Sequence, residues 1–306
     1  MGVDRDARRE TVLPGQKSPG WSTNMPYSTL IDTATARKHQ SDPDWVFVDC
    51  RFDIRDPARG RKDYNAAHIP GAVYADLDHD LSGHIVAGRT GRHPLPEPES
   101  IVKAFSGWGI GPRTQVIAYD ESTGAMAAAR LWWLLKWTGH DAVAVLDGGL
   151  MAWTKAGLSC GTGAESRPGS RFDAAFRPEM AVDVLQVFSA LKDPGWVVLD
   201  ARAADRYRGE NETVDPVAGH IPGAVSAPYG SAIGLDGLLK PVSELSRLYA
   251  SAMGGRDAGH TIVYCGSGVT AAHTVLGCAH AGLGLPLLYA GSWSEWITDK
   301  GRPVAR

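Results

Sequence analysis

Short apolar runs alternate along this chain with stretches that have a helical pattern. The runs at 46–48, 116–119, 197–199 and 261–264 have the length of buried strands, and a helical segment at 125–137 follows the second of them. An alternation of this kind is typical of a parallel sheet with helices on both faces. The pattern therefore predicts an α/β fold.

The motifs at the ends of these strands occur twice along the chain. His-Ile-Pro-Gly-Ala-Val is written identically at 68–73 and at 220–225. Three further blocks recur in the same order, pairing 46–51 with 197–202, 116–120 with 261–265, and 146–149 (with Trp153) with 289–292 (with Trp296). Matched blocks that keep one order indicate two homologous domains.

We predict that the two domains span residues 26–157 and 179–306. The segment 158–178 between them has the glycine, serine and proline content of a linker. Residues 1–25 are polar and charged, and they lack the apolar segment of a signal peptide. We therefore expect a flexible tail at 1–25 and a cytoplasmic location.

Composition narrows the classes of function. The chain has 306 residues, 43% of them hydrophobic and 21% charged, which is close to the average of globular proteins. A net charge of −3 provides no basic surface for nucleic acid, and no apolar run approaches the ~20 residues of a membrane helix. Four cysteines are too few for a disulfide framework, and no Cys/His cluster has zinc spacing. We expect no nucleic-acid or membrane partner, no metal and no cofactor.

The most specific signal is Cys265, which follows the apolar run 261–264 and precedes a predicted helix. At the start of a helix the backbone N–H groups lack intrahelical partners, and the helix dipole favours an anion. Gly266 and Gly268 allow the loop to curl so that these groups approach the sulfur. We therefore predict a thiol of lowered pKa that acts as a nucleophile, rather than a cysteine that only packs in the core.

The repeat provides an internal comparison. Asp120 occupies the position of Cys265 in the first domain and is followed by Glu121, so we predict that the first domain is inactive. Features that both copies share are interpreted as structural, because one copy alone has the thiol at this position. They are the motif histidines His68 and His220, the strand-end pairs (Asp49 with Arg51, and Asp200 with Arg202), and the core tryptophans Trp153 and Trp296.

With these residues assigned, the chain from residue 26 to its end resembles the tandem-domain rhodanese family of sulfurtransferases. The doubled His-Ile-Pro-Gly-Ala, the cysteine loop of the second half and Gly-Ser-Trp-Ser-Glu-Trp at 291–296 carry the resemblance. It implies two rhodanese-like domains and a cysteine that takes a sulfane sulfur from a donor, carries it as a persulfide and passes it to a nucleophilic acceptor. Cys-Gly-Ser-Gly-Val-Thr at 265–270 is similar to the loop of 3-mercaptopyruvate sulfurtransferases, whereas thiosulfate sulfurtransferases typically have Cys-Arg-Lys-Gly-Val-Thr.

The resemblance also implies a proton relay between the domains. In the mercaptopyruvate branch, the loop serine is associated with an aspartate and a histidine from the first domain. Asp78 and His93 match these positions, so Ser267, His93 and Asp78 would form a relay of the Ser–His–Asp kind.

A binding site for the donor follows from the same comparison. The family has an arginine just after the second Asp-x-Arg strand end, and Arg206 matches it. Many mercaptopyruvate enzymes have a second arginine shortly afterwards, where this chain has Asp215. The rest of the predicted substrate-binding loop consists of Gly266, Gly268, Val269 and Thr270.

We predict ping-pong transfer of sulfur from 3-mercaptopyruvate through Cys265 to a small thiol, cyanide or a thioredoxin-like protein. A thiosulfate:cyanide sulfurtransferase that uses the same persulfide is the second candidate, and Asp215 leaves it open. A non-catalytic sulfur carrier or regulatory binding module is the third. A cysteine phosphatase is disfavoured, because the sixth residue after Cys265 is Ala271 and not the arginine of a Cys-x5-Arg loop.

Overall fold

The computed structural model of the protein describes residues 26–306, so the flexible tail predicted at 1–25 lies outside the described residues. In chain order the first domain contains β1 (Leu30–Ile31), α1 (Thr33–Lys38), β2 (Trp45–Asp49), α2 (Pro57–Ala66), β3 (Val73–Tyr74), α3 (Pro98–Gly107), β4 (Gln115–Tyr119), α4 (Ala127–Trp137), β5 (Val143–Leu146) and α5 (Gly149–Lys155). The second domain contains α6 (Val184–Ala190), β6 (Val197–Asp200), α7 (Ala204–Tyr207), β7 (Val225–Ser226), α8 (Val242–Met253), β8 (Thr261–Tyr264), α9 (Thr270–His280), β9 (Leu287–Leu288) and α10 (Ser292–Trp296).

Each domain has one parallel sheet, as the alternating pattern predicts. The first sheet has the strand order β1-β5-β4-β2-β3, and the second has the order β7-β6-β8-β9. All the strand pairs are parallel, from β1 with β5 in the first sheet to β8 with β9 in the second. The equivalent strands β4 and β8 therefore have neighbours on both sides, and their carboxyl ends lie where ligands bind in open parallel sheets.

Local sequence explains where several helices begin and end. Proline occupies the first turn of α2 and α3, where its missing N–H has no intrahelical partner to lose. Asp183 and Gln186 form a reciprocal capping box at the start of α6. Helix α8 ends at Met253 and is capped by Gly254, which adopts a left-handed conformation with a φ of 58°.

Alternate residues along the central strands enter different cores, so both faces of each sheet are covered. In β2, Val46 and Val48 belong to one core and Phe47 to another. In β8, Val263 shares the first of these cores, whereas Ile262 faces a third. The first core is therefore common to both domains, and α4 packs against α9 within it. This continuous core holds the two sheets in a defined relationship and so fixes the groove between them.

The repeated motifs have the same geometry in both domains. Arg51 forms two-pronged hydrogen bonds with Asp49, and Arg202 does the same with Asp200. The motif histidines also match, since the rings of His68 and His220 each stack on a tyrosine and each has Nδ1 2.8 Å from that tyrosine's carbonyl oxygen. These contacts support the interpretation of the shared features as structural. Trp153 and Trp296 are buried, which confirms their predicted place in the cores.

No helix among residues 26–306 combines the length and the apolar character needed to cross a bilayer. In the same residues, no three histidine, cysteine, aspartate or glutamate side chains converge on a position suited to a metal ion.

Candidate active site

Cys265 follows β8 directly, at the carboxyl end of an inner strand of the second sheet. Cys265 is only 2% exposed to solvent, but it lines a cleft of about 260 Å³ between the two domains. A small ligand therefore has access to the sulfur from this cleft. Of the predicted site residues, the cleft is lined by Cys265, Gly266, Ser267, Val269, Thr270, His93 and Arg206.

The glycines of the loop are required by its conformation and its neighbours. Gly268 has a φ of 77°, which L side chains rarely adopt, and an added Cβ would overlap the carbonyl oxygen of Ala290. An added Cβ at Gly266 would lie 3.0 Å from Nη2 of Arg92 and 3.6 Å from Nη1 of Arg206. Gly266 thus leaves room for two guanidinium groups beside the loop, whereas Gly268 permits the turn itself.

The backbone of the loop is anchored at one end and open at the other. The N–H of Cys265 donates to Oγ of Ser292 at 3.1 Å, and its carbonyl accepts from the N–H of Trp293 at 3.0 Å. The N–H groups of residues 266–270 have no hydrogen-bond acceptor among the described residues. Helix α9 starts at Thr270, so its positive end also faces this loop. The loop is therefore equipped to bind an anion.

The equivalent loop of the first domain is already filled by its own carboxylate. Asp120 is 3% exposed, and its side chain accepts hydrogen bonds from the N–H groups of Ser122, Gly124 and Met126 at 2.9–3.2 Å. Burial raises the pKa of this carboxyl group, and the three N–H donors oppose that shift. The amides that would bind an external anion are thus occupied, which supports the predicted inactivity of this domain.

Ser267, His93 and Asp78 form a continuous chain of contacts across the domain boundary. Oγ of Ser267 lies 2.7 Å from Nδ1 of His93, and Nε2 of the same ring lies 3.2 Å from Oδ1 of Asp78. With a neutral ring, the contact to Asp78 favours a proton on Nε2, which leaves Nδ1 free to accept from the serine hydroxyl. The structure therefore brings together the three residues that the sequence assigns to a relay.

The protonation of this pair is shaped by burial and by the contact itself. Burial lowers the pKa of His93, and the hydrogen bond and charge of Asp78 oppose that effect without cancelling it. The hydrogen bond from His93 lowers the pKa of Asp78. The resulting state, a neutral imidazole beside an ionised carboxylate, is the one that a proton acceptor requires.

Arg206 lies in α7 at the edge of the cleft and is held by two buried carboxylates. Its Nε and Nη2 donate to Glu212 at 3.0 and 2.8 Å, and Nη2 also donates to Asp215 at 3.0 Å. The side chains of Glu212 and Asp215 are 2% and 1% exposed, whereas that of Arg206 is 21% exposed. The guanidinium is thus fixed from behind, and Nη1 has no hydrogen-bond partner among the described residues.

Sequence reasoning missed Arg92, which precedes His93 and also lines the cleft. Its Nη1 forms an ion pair with Asp215, which joins the two domains. In the sequence, Asp215 lies near the position where many mercaptopyruvate enzymes have a second arginine. In the structure, its carboxylate pairs with Arg92 of the first domain. No local pattern marks this pair, because its members are far apart in the chain.

Sequence reasoning also missed Arg130, the fully buried arginine of α4. It has no carboxylate within ion-pair distance in residues 26–306, and it donates to the carbonyls of Leu81, His93, Pro94 and Gly268 at 3.2–3.5 Å. Burial lowers the pKa of its guanidinium to about 10, and the charge of Cys265 opposes that shift. The sequence signal that could have identified Arg130 is its charge in the middle of an apolar helical segment. Arg130 connects the His93 segment to the cysteine loop.

Comparison with known proteins identifies the family to which this architecture is similar. The family model described as "Rhodanese-like domain" matches residues 32–156 and 185–299, so it matches once in each domain. Among solved structures, the 3-mercaptopyruvate sulfurtransferase from Leishmania major has a TM-score of 0.79 at 31% identity, covering 90% of this chain and 75% of that one. The Escherichia coli enzyme SseA, described as a 3-mercaptopyruvate sulfotransferase, has a TM-score of 0.75 at 33% identity, covering 88% of this chain and all of that one.

Two relatives have different names. A Pseudomonas aeruginosa protein named "Probable 3-mercaptopyruvate sulfurtransferase" is 48% identical over 283 residues, which are 92% of this chain and 99% of that protein. A Mycobacterium tuberculosis protein named "Putative thiosulfate sulfurtransferase SseB" is 41% identical over 260 residues, which are 85% of this chain and 90% of that protein. The doubled domains, their parallel sheets and these relatives agree: the chain belongs to the tandem-domain rhodanese family of sulfurtransferases.

Proposed function

We propose that this sulfurtransferase takes sulfur from 3-mercaptopyruvate and carries it as a persulfide on Cys265. The observation that carries the proposal is the contact chain from Ser267 through His93 to Asp78, which ends in the same cleft as the thiol. A donor that releases a carbon leaving group needs a proton acceptor and donor at that position, whereas a donor such as thiosulfate releases a stable anion.

The first half-reaction forms one S–S bond and breaks one C–S bond. The Cys265 thiolate attacks the thiol sulfur of the donor, and the electron pair of the C–S bond moves to the carbon as a pyruvate enolate. The proton of the donor thiol passes through Ser267 to Nδ1 of His93 and returns to the enolate carbon, so pyruvate is the product. Atoms and charges balance without a further reactant.

The second half-reaction returns the enzyme to its starting state. The persulfide anion is held by the N–H groups of the loop 266–270 and of the start of α9, with Gly266, Gly268, Val269 and Thr270 providing the backbone. A nucleophilic acceptor, a thiolate or cyanide, attacks the outer sulfur and takes it, the S–S bond breaks, and the Cys265 thiolate departs. The acceptor is a small thiol, cyanide or the thiol of a thioredoxin-like protein.

Intact-mass and peptide mass spectrometry test the persulfide directly. After treatment with 3-mercaptopyruvate, the protein should gain the mass of one sulfur atom on the peptide that contains Cys265, and an added thiol should remove it. Cys265→Ser should show no gain, and Cys278→Ser provides the matched control, because Cys278 is buried in α9 away from the cleft lining. A gain that persists in Cys265→Ser would contradict the proposal.

Thiosulfate is the second candidate donor, and the name of the Mycobacterium tuberculosis relative favours it. A comparison of kcat/KM for 3-mercaptopyruvate and thiosulfate, with cyanide as the acceptor, decides between them. We expect a preference for 3-mercaptopyruvate, since the carboxylates around Arg206 weigh against a dianion. A preference for thiosulfate would reverse the choice of donor but keep Cys265 as the sulfur carrier.

A further inference from the structure

We propose that a cavity of the first domain binds the acceptor thiol by its α-ammonium and α-carboxylate groups. The inference rests on the proposed function, because it gives the second half-reaction a binding site of its own. The acceptor that it describes is a small thiol that carries an amino-acid group, as cysteine and γ-glutamylcysteine do.

This first-domain cavity has a volume of about 500 Å³ and lies at the carboxyl ends of β2 and β4. Arg51 and Asp120 line it, and their counterparts in the repeat line the Cys265 cleft. Phe52 and Met126 line both spaces. A ligand in the first-domain cavity therefore borders the cleft that contains Cys265, at the edge of the sheet where open parallel folds bind ligands.

The two spaces differ in charge. Among the described residues, the Cys265 cleft is lined by three arginines and no carboxylate. The first-domain cavity is lined by two arginines and four carboxylates, which are Arg51, Arg59, Asp53, Asp63, Asp120 and Glu121. Asp120 already accepts from N–H groups of its own loop, and the remaining carboxylates still outnumber the guanidinium groups. The cleft therefore attracts an anionic donor, whereas the cavity attracts a group with a positive charge.

Arg51 provides a donor for a ligand carboxylate in the same cavity. Its side chain is 8% exposed, and its Nε and Nη2 donate to Asp49. Its Nη1 makes no hydrogen bond in residues 26–306 and lies 3.5 Å from Oε2 of Glu121, whose side chain is 63% exposed. An α-amino acid matches this arrangement, because its carboxylate accepts from Nη1 of Arg51 while its ammonium group binds Glu121. The buried guanidinium nitrogen and the acidic rim together favour a zwitterion.

The transfer step needs no further reactant. The thiolate of the acceptor forms an S–S bond with the outer sulfur of the Cys265 persulfide, and the bond between that sulfur and Sγ of Cys265 breaks. Cys265 leaves as the thiolate, and the proton of the acceptor thiol passes to solvent. The amino-acid group is held by the first domain while the thiol meets the sulfur of the second, so the acceptor extends past Phe52 and Met126.

The second half-reaction, measured alone, tests the site. Each protein is loaded with sulfur and freed of donor, and the loss of sulfur mass from Cys265 is followed with cysteine, γ-glutamylcysteine or 2-mercaptoethanol. In Glu121→Gln we expect the second-order rate constant for an amino-acid thiol to fall about two- to fivefold, because exposed charge pairs contribute modestly. In Asp53→Asn/Glu121→Gln it should fall roughly tenfold, since two carboxylates are lost. The value for 2-mercaptoethanol should not fall, because that thiol has neither charge.

The two amino-acid thiols differ in reach, and the one with the larger loss identifies the length that fits between the cavity and Cys265. Glu99→Gln is the matched control, because it removes an exposed carboxylate of the same domain that lines neither space, and it should match the wild type. Equal effects of Glu121→Gln on all three thiols, or no effect on any of them, would overturn the proposal.

A binding measurement tests the cavity without any donor. S-Methylcysteine keeps the amino-acid group and has no thiol, and methionine labelled with ¹³C in its methyl group reports its position by NMR. Titration should move the Met126 signal, and Asp53→Asn/Glu121→Gln should need a higher concentration for the same shift. 2-(Methylthio)ethylamine and 3-(methylthio)propionate each lack one charge of the amino-acid group, so both should bind the wild type more weakly than S-methylcysteine does.

Failure of the proposed function has a different signature. If 3-mercaptopyruvate does not load the wild type with sulfur, the function is wrong whatever the cavity binds, and the titration still decides the site. A Met126 signal that S-methylcysteine does not move would overturn the proposal, as would equal binding to the wild type and Asp53→Asn/Glu121→Gln.

Discussion

The Oγ of Ser267 and the Nδ1 of His93 lie 2.7 Å apart although the two residues are 174 positions apart in the chain. Ser267 belongs to the cysteine loop of the second domain, and His93 lies in the first domain between β3 and α3. The chemistry that we propose therefore depends on the packing of the domains, because neither domain contains the relay by itself.

Removing either end of this contact should slow the same step. We expect Ser267→Ala and His93→Asn each to lower kcat for 3-mercaptopyruvate roughly 100- to 1,000-fold, which lies within the range of general acid–base catalysis. The double variant should be hardly slower than either single variant, because the residues act as a unit. Stopped-flow measurement of pyruvate release checks this, and additive losses would show that the two residues act separately.

The pH dependence of kcat/KM should report the state of His93. The relay needs a neutral ring, and burial lowers the pKa of His93 below its usual 6.5, so activity should persist below pH 6.5 and fall at lower pH. Asp78 raises the pKa of His93 through its hydrogen bond and charge. Asp78→Asn should therefore move the acid limb of the profile to lower pH, and a limb that moves upward or stays fixed would contradict the assignment.

The buried His273 should make stability depend on pH. It lies in α9, where its ring nitrogens have no well-formed hydrogen bond in the described residues. Burial lowers its pKa to about 4, and the backbone of Thr123 opposes that shift without cancelling it. Between pH 6.5 and 4 the unfolded chain therefore binds more protons at this residue than the folded protein does. The free energy of unfolding should fall by about 3 kcal/mol as the pH drops through that window.

His273→Leu isolates this contribution. The difference in unfolding free energy between His273→Leu and the wild type should grow by about 3 kcal/mol from pH 7 to pH 4, because the leucine does not titrate. Urea unfolding at both pH values measures it. A difference for His273→Leu that stays constant between the two pH values would show that the ring is already protonated or hydrated in the fold.

Loss of the Arg130 side chain should weaken the domain interface. Arg130→Met leaves four backbone carbonyls without their donor, and we expect the free energy of unfolding to fall by about 3 kcal/mol. Lys136→Met is the control on the same helix, because Lys136 bonds to Asp141 alone, and it should cost about 1 kcal/mol. Equal costs in chemical denaturation would show that the carbonyl contacts of Arg130 contribute little.

The carboxylate of Asp120 should be structural and not catalytic. Asp120→Ala leaves three N–H groups unpaired, so the free energy of unfolding should fall by about 3 kcal/mol, while sulfur loading of Cys265 stays complete. Glu121→Ala, at a side chain that is 63% exposed, should change stability by less than about 0.5 kcal/mol. Loss of sulfur loading in folded Asp120→Ala would show that the first domain takes part in the chemistry.

The sequence by itself determined the repeated α/β domains and the cysteine at a strand end that we propose as the nucleophile. Both depend on local features, namely the periodicity of apolar residues and the glycines around Cys265, which restrict the backbone wherever the chain goes. The sequence also predicts that the first domain is inactive, because Asp120 replaces the thiol at the matching position. The relay of Ser267, His93 and Asp78 was available through the family resemblance alone, since no local pattern connects residues so far apart.

Only the tertiary structure decided how the two domains share one cleft. In the sequence, Asp215 lies where many mercaptopyruvate enzymes have a second arginine, so it suggests that a donor-binding residue is missing. In the fold, its carboxylate pairs with both Arg92 and Arg206 and holds them side by side. In the sequence, Arg130 is a charged residue in an apolar helical segment. In the fold, its guanidinium is buried and donates hydrogen bonds to backbone carbonyls of both domains. The physical reason is the same for both: an ion pair or hydrogen bond between distant segments depends on how the sheets pack, and packing distances are not encoded in the local pattern of either segment.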